Sequence, residues 1–261
     1  VKDRPGEDET GLAAQQQEQA LPQERVIDRV WTHSVPGFDT QAYLQAVGNL
    51  VARFEAESGA RIEPGEHRRV GLKIYTNSGA GICTPRDLVR AVIRFLEERG
   101  YDRGDLFILD LGLDNLWRAG YIASRAADRH EFAGVPVMAL QSGDFYDPDW
   151  FYDSPLPSQY LTPARLKSTG GYDIDNEIAD DRKSYLPTPL LLDVDFWINL
   201  PVVTDHPDLG INGALANATL WNVSNQFRFM NHMAGASAAI AEIAAIQPAD
   251  AGMPPLEFGV G

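Results

Sequence analysis

The residues with the richest chemistry for their spacing lie between Asp205 and Asp208, where two carboxylates flank the imidazole of His206. They follow an apolar run, Phe196 to Leu200, that is broken by Asn199 and closed by Pro201. Gly210, Gly213 and Asn217 come next. Loops at the carboxyl ends of strands are where α/β proteins place ligands. In such a loop His206 can serve as a neutral metal ligand, or as a general base oriented by Asp205. Asp205, His206 and Asp208, with Asp110 from another strand end, form the candidate set for a divalent cation. Asn199 and Asn217 can orient a ligand or hold the loop. The alternative has His206 bonded to a backbone carbonyl and the aspartates capping turns.

A second candidate is the loop from Thr76 to Pro85. Gly79 and Gly81 allow a tight turn, and Thr84 followed by Pro85 reads as the cap and first residue of a helix. The unpaired N–H groups of a helix start attract phosphate or carboxylate, and Lys73 in the preceding strand adds an ammonium. A capped helix start without a ligand fits the same residues. The glycine spacing is neither a dinucleotide fingerprint nor a P-loop. Cys83 sits beside this helix start, but a lone cysteine reads as a small apolar residue rather than a nucleophile. His232 falls in a helical pattern, His67 and His130 lie among charges, and His33 belongs to an N-terminal segment that could reach across the site.

The elements that must position these residues follow from hydrophobic periodicity. A helix is expected over Phe38–Glu57, capped by Asp39 or Thr40 and ended by Gly59. Val70–Tyr75 reads as a buried strand, Pro85–Arg99 as a helix ended by Gly100, and Asp105–Leu111 as the next strand. Strand, helix and strand in about forty residues is the pattern of a right-handed βαβ unit. A helix over Asn115–Ser124 and a strand over Val135–Leu140 continue it. Residues 141–189, rich in Tyr, Asp, Pro and Ser, read as an irregular insertion or lid with a little β structure. Its YDPDWFYDSP stretch offers aromatic residues to a protein partner. The pattern resumes with a strand over Leu190–Leu200, a long Ala-rich helix over Phe227–Ile246 and a final strand over Leu256–Val260. Residues 1–22, polar and rich in Gln and Glu, read as a mobile arm preceding an α/β domain over 23–261.

Composition narrows the function classes. The chain of 261 residues carries 37 acidic and 22 basic residues, a formal charge of −15. A nucleic-acid partner is not expected, since a polyanion would be repelled and no basic stripe is present. No apolar run approaches the length of a membrane span. Cys83 is the only cysteine, so neither a disulfide nor an iron–sulfur cluster is expected. The start at Val1, followed by a polar leader, fits either a trimmed chain or removal of a targeting peptide, as in an exported or periplasmic protein.

Two segments resemble the bacterial and archaeal family catalogued as domain of unknown function 362. VGLKIYTNSGAGICTP is similar to that family's V-G-x-K strand and T-x-P helix start. INLPVVTDHPDLGINGALAN is similar to its second signature, in which I-N-L-P-x-x-K-T-H precedes G-x-T-G-A-L-K-N. Asn199, Leu200, Pro201, His206, Gly213, Ala214, Leu215 and Asn217 fall in register. Thr204, Asp205 and Ala216 depart from it, removing two lysines and adding an acid. The resemblance implies an α/β domain with a strand-end site; some relatives carry twin-arginine export signals.

Together these readings give one α/β domain with a mostly parallel central sheet flanked by helices. The expected function is that of a small-molecule enzyme, metal-assisted through a divalent ion. Asp205, His206 and Lys73 are its candidate catalytic residues, and Gly79, Gly81, Thr84, Asn199 and Asn217 its ligand-binding set. The rival expectation is a non-catalytic extracytoplasmic binding or docking protein.

Overall fold

The computed structural model describes residues 30–142, 144–153, 183–224, 226–229 and 233–245. The polar arm over 1–22, most of the expected lid, His232 and the expected strand Leu256–Val260 lie outside the described residues. Helix α1 (Thr40–Ser58) begins where the Asp39 carboxylate accepts the amides of Gln41 and Ala42, both at 2.9 Å. It ends at Gly59, whose φ of 72° is the left-handed conformation glycine adopts without strain. Strand β1 (Val70–Lys73) leads to helix α2 (Arg86–Glu98) and strand β2 (Leu106–Asp110). Helix α3 (Leu113–Arg118) is shorter than the expected Asn115–Ser124 and starts earlier. Strands β3 (Glu131–Phe132) and β4 (Val135–Ala139) follow.

Part of the expected lid is a hairpin of β5 (Tyr146–Asp153) and β6 (Lys183–Pro187), paired antiparallel. The next stretch corrects the expected strand over Leu190–Leu200. Thr188–Leu191 forms a short helix, α4, and only Phe196–Asn199 is strand β7. Pro187 and Pro189, restricted in φ, favour the turn of helix over an extended start. The loop assigned to His206 is also a hairpin, β8 (Thr204–His206) with β9 (Gly210–Asn212). Helix α5 (Ala214–Ala218), a 3-10 turn over Gln226–Phe229 and helix α6 (Met233–Ala245) complete the described chain.

The central sheet has the order β3-β4-β2-β1-β7. Strands β4, β2, β1 and β7 run parallel, and β3 is antiparallel to β4. Every residue of β1 and β2 is buried, as expected of central parallel strands covered on both faces. Alternation splits their side chains into two cores. Leu72, Ile74, Leu106 and Ile108 pack with the buried faces of α1, α2 and α3. Tyr75, Phe107, Leu109 and Leu111 pack on the other face with the β5–β6 hairpin, α4, α5 and α6. Gly71 permits the second layer to close down, since a Cβ there would lie 2.5 Å from Leu190 Cδ2. The start of β7 is pinned by Asp195, which accepts the amides of Gly65 at 2.9 Å and His67 at 2.8 Å.

Sheet order places β1 at a switch point: the chain leaves it towards β2 and later returns to its other side as β7. The crevice between the carboxyl ends of two such strands is where open α/β sheets bind ligands. Lys73, Asn199 and the Thr76–Pro85 loop belong to those ends.

Candidate functional site at the carboxyl ends of the strands

Lys73 is fully buried, and its ammonium has three acceptors for three protons. These are the Ile74 carbonyl at 2.6 Å, Asp110 Oδ1 at 2.7 Å and Asn217 Oδ1 at 3.0 Å. Burial lowers its pKa from the usual lysine value, while the charge and hydrogen bond of Asp110 oppose that fall. The other carboxylate oxygen, Asp110 Oδ2, accepts the amide of Thr76 at 2.8 Å and its hydroxyl at 2.5 Å. Asn217 donates to Asn199 Oδ1 at 2.7 Å, and Asn199 donates to the Ala214 carbonyl at 2.7 Å. The sequence-derived role of Lys73 as an ammonium facing an anion is therefore corrected: it ties β1, β2 and α5 together beneath the surface. Lys73, Thr76, Asp110 and Asn217 form a closed floor.

Thr84 is corrected in the same way. Its hydroxyl oxygen accepts the Tyr75 amide at 2.8 Å, and the hydroxyl donates to the Leu200 carbonyl at 2.7 Å. It stitches the loop to the ends of β1 and β7 instead of capping α2, whose cap position is Pro85 with no side-chain hydrogen bond. The first turn of α2 thus keeps unpaired N–H groups. Beside this helix start lies a crevice of about 440 Å³ lined by Gly81, Cys83, Pro85, Arg86, Arg118 and Gly120. Gly79, at φ 86°, makes the turn that shapes this loop, with the Ile82 amide donating to its carbonyl at 3.1 Å.

The crevice has a charge character that the whole chain lacks. Arg90, Arg94, Arg99, Arg103 and Arg125 each pair with a carboxylate. Among the described residues Arg86 and Arg118 make no direct ion pair, although Arg86 helps to lower the pKa of Asp87 and Arg118 that of Asp114. Arg86 reaches over Gly120, where an added Cβ would sit 2.9 Å from its Nη1. Burial raises the Cys83 thiol's pKa despite the nearby Arg86, and the thiol donates to the Ala80 carbonyl at 3.4 Å. That is an inert cysteine rather than an activated thiolate.

The hairpin separates the residues that the sequence placed together. Thr204, Asp205 and His206 are consecutive in β8, so Asp205 points to one face and His206 to the other. Nδ1 of His206 accepts the Asp208 amide at 3.2 Å, and its ring lies 5.9 Å from that of Trp221. Trp221 is fixed by donating to Asn212 Oδ1 at 2.7 Å. Among the described residues, no three His, Cys, Asp or Glu side chains gather as a metal-binding group. The expected quartet of Asp110, Asp205, His206 and Asp208 is not assembled, because strand alternation splits two members and Asp110 is held within the floor.

Asn199 and Asn217 do meet, as their assignment to one site required. The sequence reading missed Thr76, which closes the floor, and the arginines of the crevice. Arg86 was legible as the residue after a helix cap; Arg118 comes from α3 and carried no local signal. No family model matches the chain, nor does any curated protein or solved structure.

Proposed function

We propose that this chain is a single α/β domain that binds a small molecule through a phosphate or carboxylate group. The anion would sit in the crevice between the Gly79–Thr84 loop, the first turn of α2 and the end of α3. The observation that carries this reading is the start of α2, without a side-chain cap, beside two guanidiniums that make no direct ion pair among the described residues, in a chain of net charge −15. Arginine forks and helix-start N–H groups are complementary to planar and tetrahedral oxyanions. The buried floor keeps the strand ends fixed so that the donors need no reorganisation on binding.

Membership of the family of domain of unknown function 362 is part of the same proposal. Its support is that the two resembling segments, far apart in sequence, meet through Lys73, Asn217 and Asn199. Ala216 is buried in α5 where that family has a lysine, which shifts the work of holding an anion to Arg86 and Arg118.

The test is calorimetric titration of the full chain with inorganic phosphate and with citrate, repeated on Arg86→Ala with Arg118→Ala. Loss of two charge-assisted contacts should weaken binding by about a hundredfold or more. Equal affinity in the double variant, or no binding to the wild type at millimolar anion, would overturn the reading. A catalytic second reading rests on His206. With Nδ1 held by the Asp208 amide, Nε2 carries the proton in the neutral ring and is the atom that could exchange it.

A further inference from the structure

Helix α3 ends in two backbone hydrogen bonds, from the Gly120 amide to the Trp117 carbonyl at 3.0 Å and from the Tyr121 amide to the Leu116 carbonyl at 2.9 Å. This paired stop needs a left-handed residue, and Gly120 supplies it at φ 76°. Helix α1 stops at Gly59 with φ 72°. The surroundings of the two glycines differ. A Cβ at Gly59 would meet nothing within 4 Å, whereas at Gly120 it would lie 2.9 Å from Arg86 Nη1 and 3.4 Å from Arg86 Cζ. Backbone conformation accounts for glycine at both positions. Only at Gly120 does the missing side chain also leave room for another group.

That group is one of the two guanidiniums of the crevice, which Gly120 lines together with Arg86 and Arg118. The frame around it is fixed. Tyr121 is fully buried, and its hydroxyl donates to the Thr84 carbonyl at 2.8 Å. Thr84 is bonded in turn to Tyr75 and Leu200 at the ends of β1 and β7. Gly120 therefore lies one residue from a clamp on the loop, and Arg86 two residues beyond the clamp on its other side. With the backbone held there, an added side chain at position 120 displaces the flexible end of the arginine. Among the described residues no direct ion pair anchors that guanidinium over Gly120. Burial raises the pKa of the Cys83 thiol and the charge of Arg86 opposes that rise. The chain's single thiol thus reports where the guanidinium lies.

We propose that Gly120 is a positioning residue of the anion site. By having no side chain it seats the Arg86 guanidinium across the end of α3, at the same crevice as Arg118, before any anion arrives. This rests on the anion-binding reading and adds to it what presets the arginine. A guanidinium already in place loses less freedom on binding, which is how preorganisation raises affinity.

The test compares Gly120→Ala with Gly59→Ala, which brings the same left-handed strain to a helix end where the new methyl meets open space. The two variants should melt together, since the contact at Gly120 is with the far end of a flexible side chain. The pH midpoint for alkylation of Cys83 by iodoacetamide is then measured on the full chain without an anion. Gly120→Ala should shift it, Gly59→Ala should not, and in an Arg86→Gln background Gly120→Ala should have no effect. Calorimetry with inorganic phosphate should show affinity about tenfold lower in Gly120→Ala. Gly59→Ala should bind as the wild type does, and Gly120→Ala should add no further loss to Arg86→Gln. An unmoved thiol midpoint in Gly120→Ala, or phosphate affinity equal to that of Gly59→Ala, would overturn the role of Gly120 and leave the crevice as an anion site. A melting temperature far below that of Gly59→Ala would also overturn it, because the glycine would then serve packing. A wild type that does not bind phosphate would instead overturn the site, and the role of Gly120 with it.

Discussion

At Lys73 an ammonium and a carboxylate sit together out of water, and each has every partner its chemistry calls for. Such a pair is weak evidence for stability when intact, but removing one member leaves the other charged and buried. Lys73→Met should therefore destabilise the fold by about 3–5 kcal/mol, read as a shift in urea midpoint at constant m-value. Asp110→Asn should cost less, because its amide oxygen can still accept from Lys73 or Thr76. A Lys73→Met change that lowers stability by under about 1 kcal/mol would show that the network is not the rigid floor described above. The residue scale is also where sequence reading went furthest astray. Lys73 was read as part of the strand and Thr84 as the cap of the following helix, but their bonding partners, Asp110, Asn217 and Leu200, lie 37, 144 and 116 positions away. No local pattern reports such partners, so residues that could face a ligand turn out to be struts.

At the scale of elements, legibility tracked how much of an element's pattern is local. Helices α1 and α2 and strands β1, β2 and β4 were readable because periodicity and glycine stops are local signals, as is the Asp39 cap of α1. The Leu190–Leu200 stretch misled because an apolar run does not say whether it is strand or helix, and α4 and β7 share it. The His206 hairpin misled because a three-residue strand leaves no period to detect. One inter-element contact gives a pH prediction. Glu55, at the end of α1, accepts Arg99 of the α2 end in two hydrogen bonds, at 2.7 and 3.1 Å, and also the Ile62 amide at 2.9 Å. The Arg99 hydrogen bond, then the Ile62 amide, pull its carboxyl down to about 2. A carboxyl lowered on folding stabilises above its unfolded value and loses that contribution as pH falls towards its folded value. The stability gap between wild type and Glu55→Gln should therefore be full above about pH 5 and close between pH 4.5 and about 2. Arg99 is partly exposed, so screening limits the gap to roughly 1 kcal/mol. Urea titrations of both proteins at several acid pH values would check it; a gap independent of pH would refute the assignment. Gly71→Ala tests a second inter-element contact, since its Cβ would strike Leu190 Cδ2. Moving α4 aside should cost about 1–3 kcal/mol by thermal denaturation, as overpacked sites do.

For the whole molecule, the excess of 37 acidic over 22 basic residues sets two effects of opposite sign. Like charges spread over the surface repel one another in the compact state, and salt screens that repulsion. The proposed anion crevice would draw on Arg86 and Arg118 against this negative background, and salt would screen that attraction as well. Raising sodium chloride from about 20 to 500 mM shortens the Debye length from about 20 Å to about 4 Å. The thermal midpoint of the ligand-free chain should then rise, while phosphate affinity at the crevice should fall. Chloride competing for the same guanidiniums would deepen the loss of affinity. Arg86→Ala with Arg118→Ala separates the two effects, because the variant should keep the salt-dependent gain in midpoint and lose the salt-dependent phosphate binding. If both responses moved in the same direction in the wild type, the positive island would not be acting as one. The crevice would then be a gap between loop and helix rather than the place where this acidic fold holds an anion.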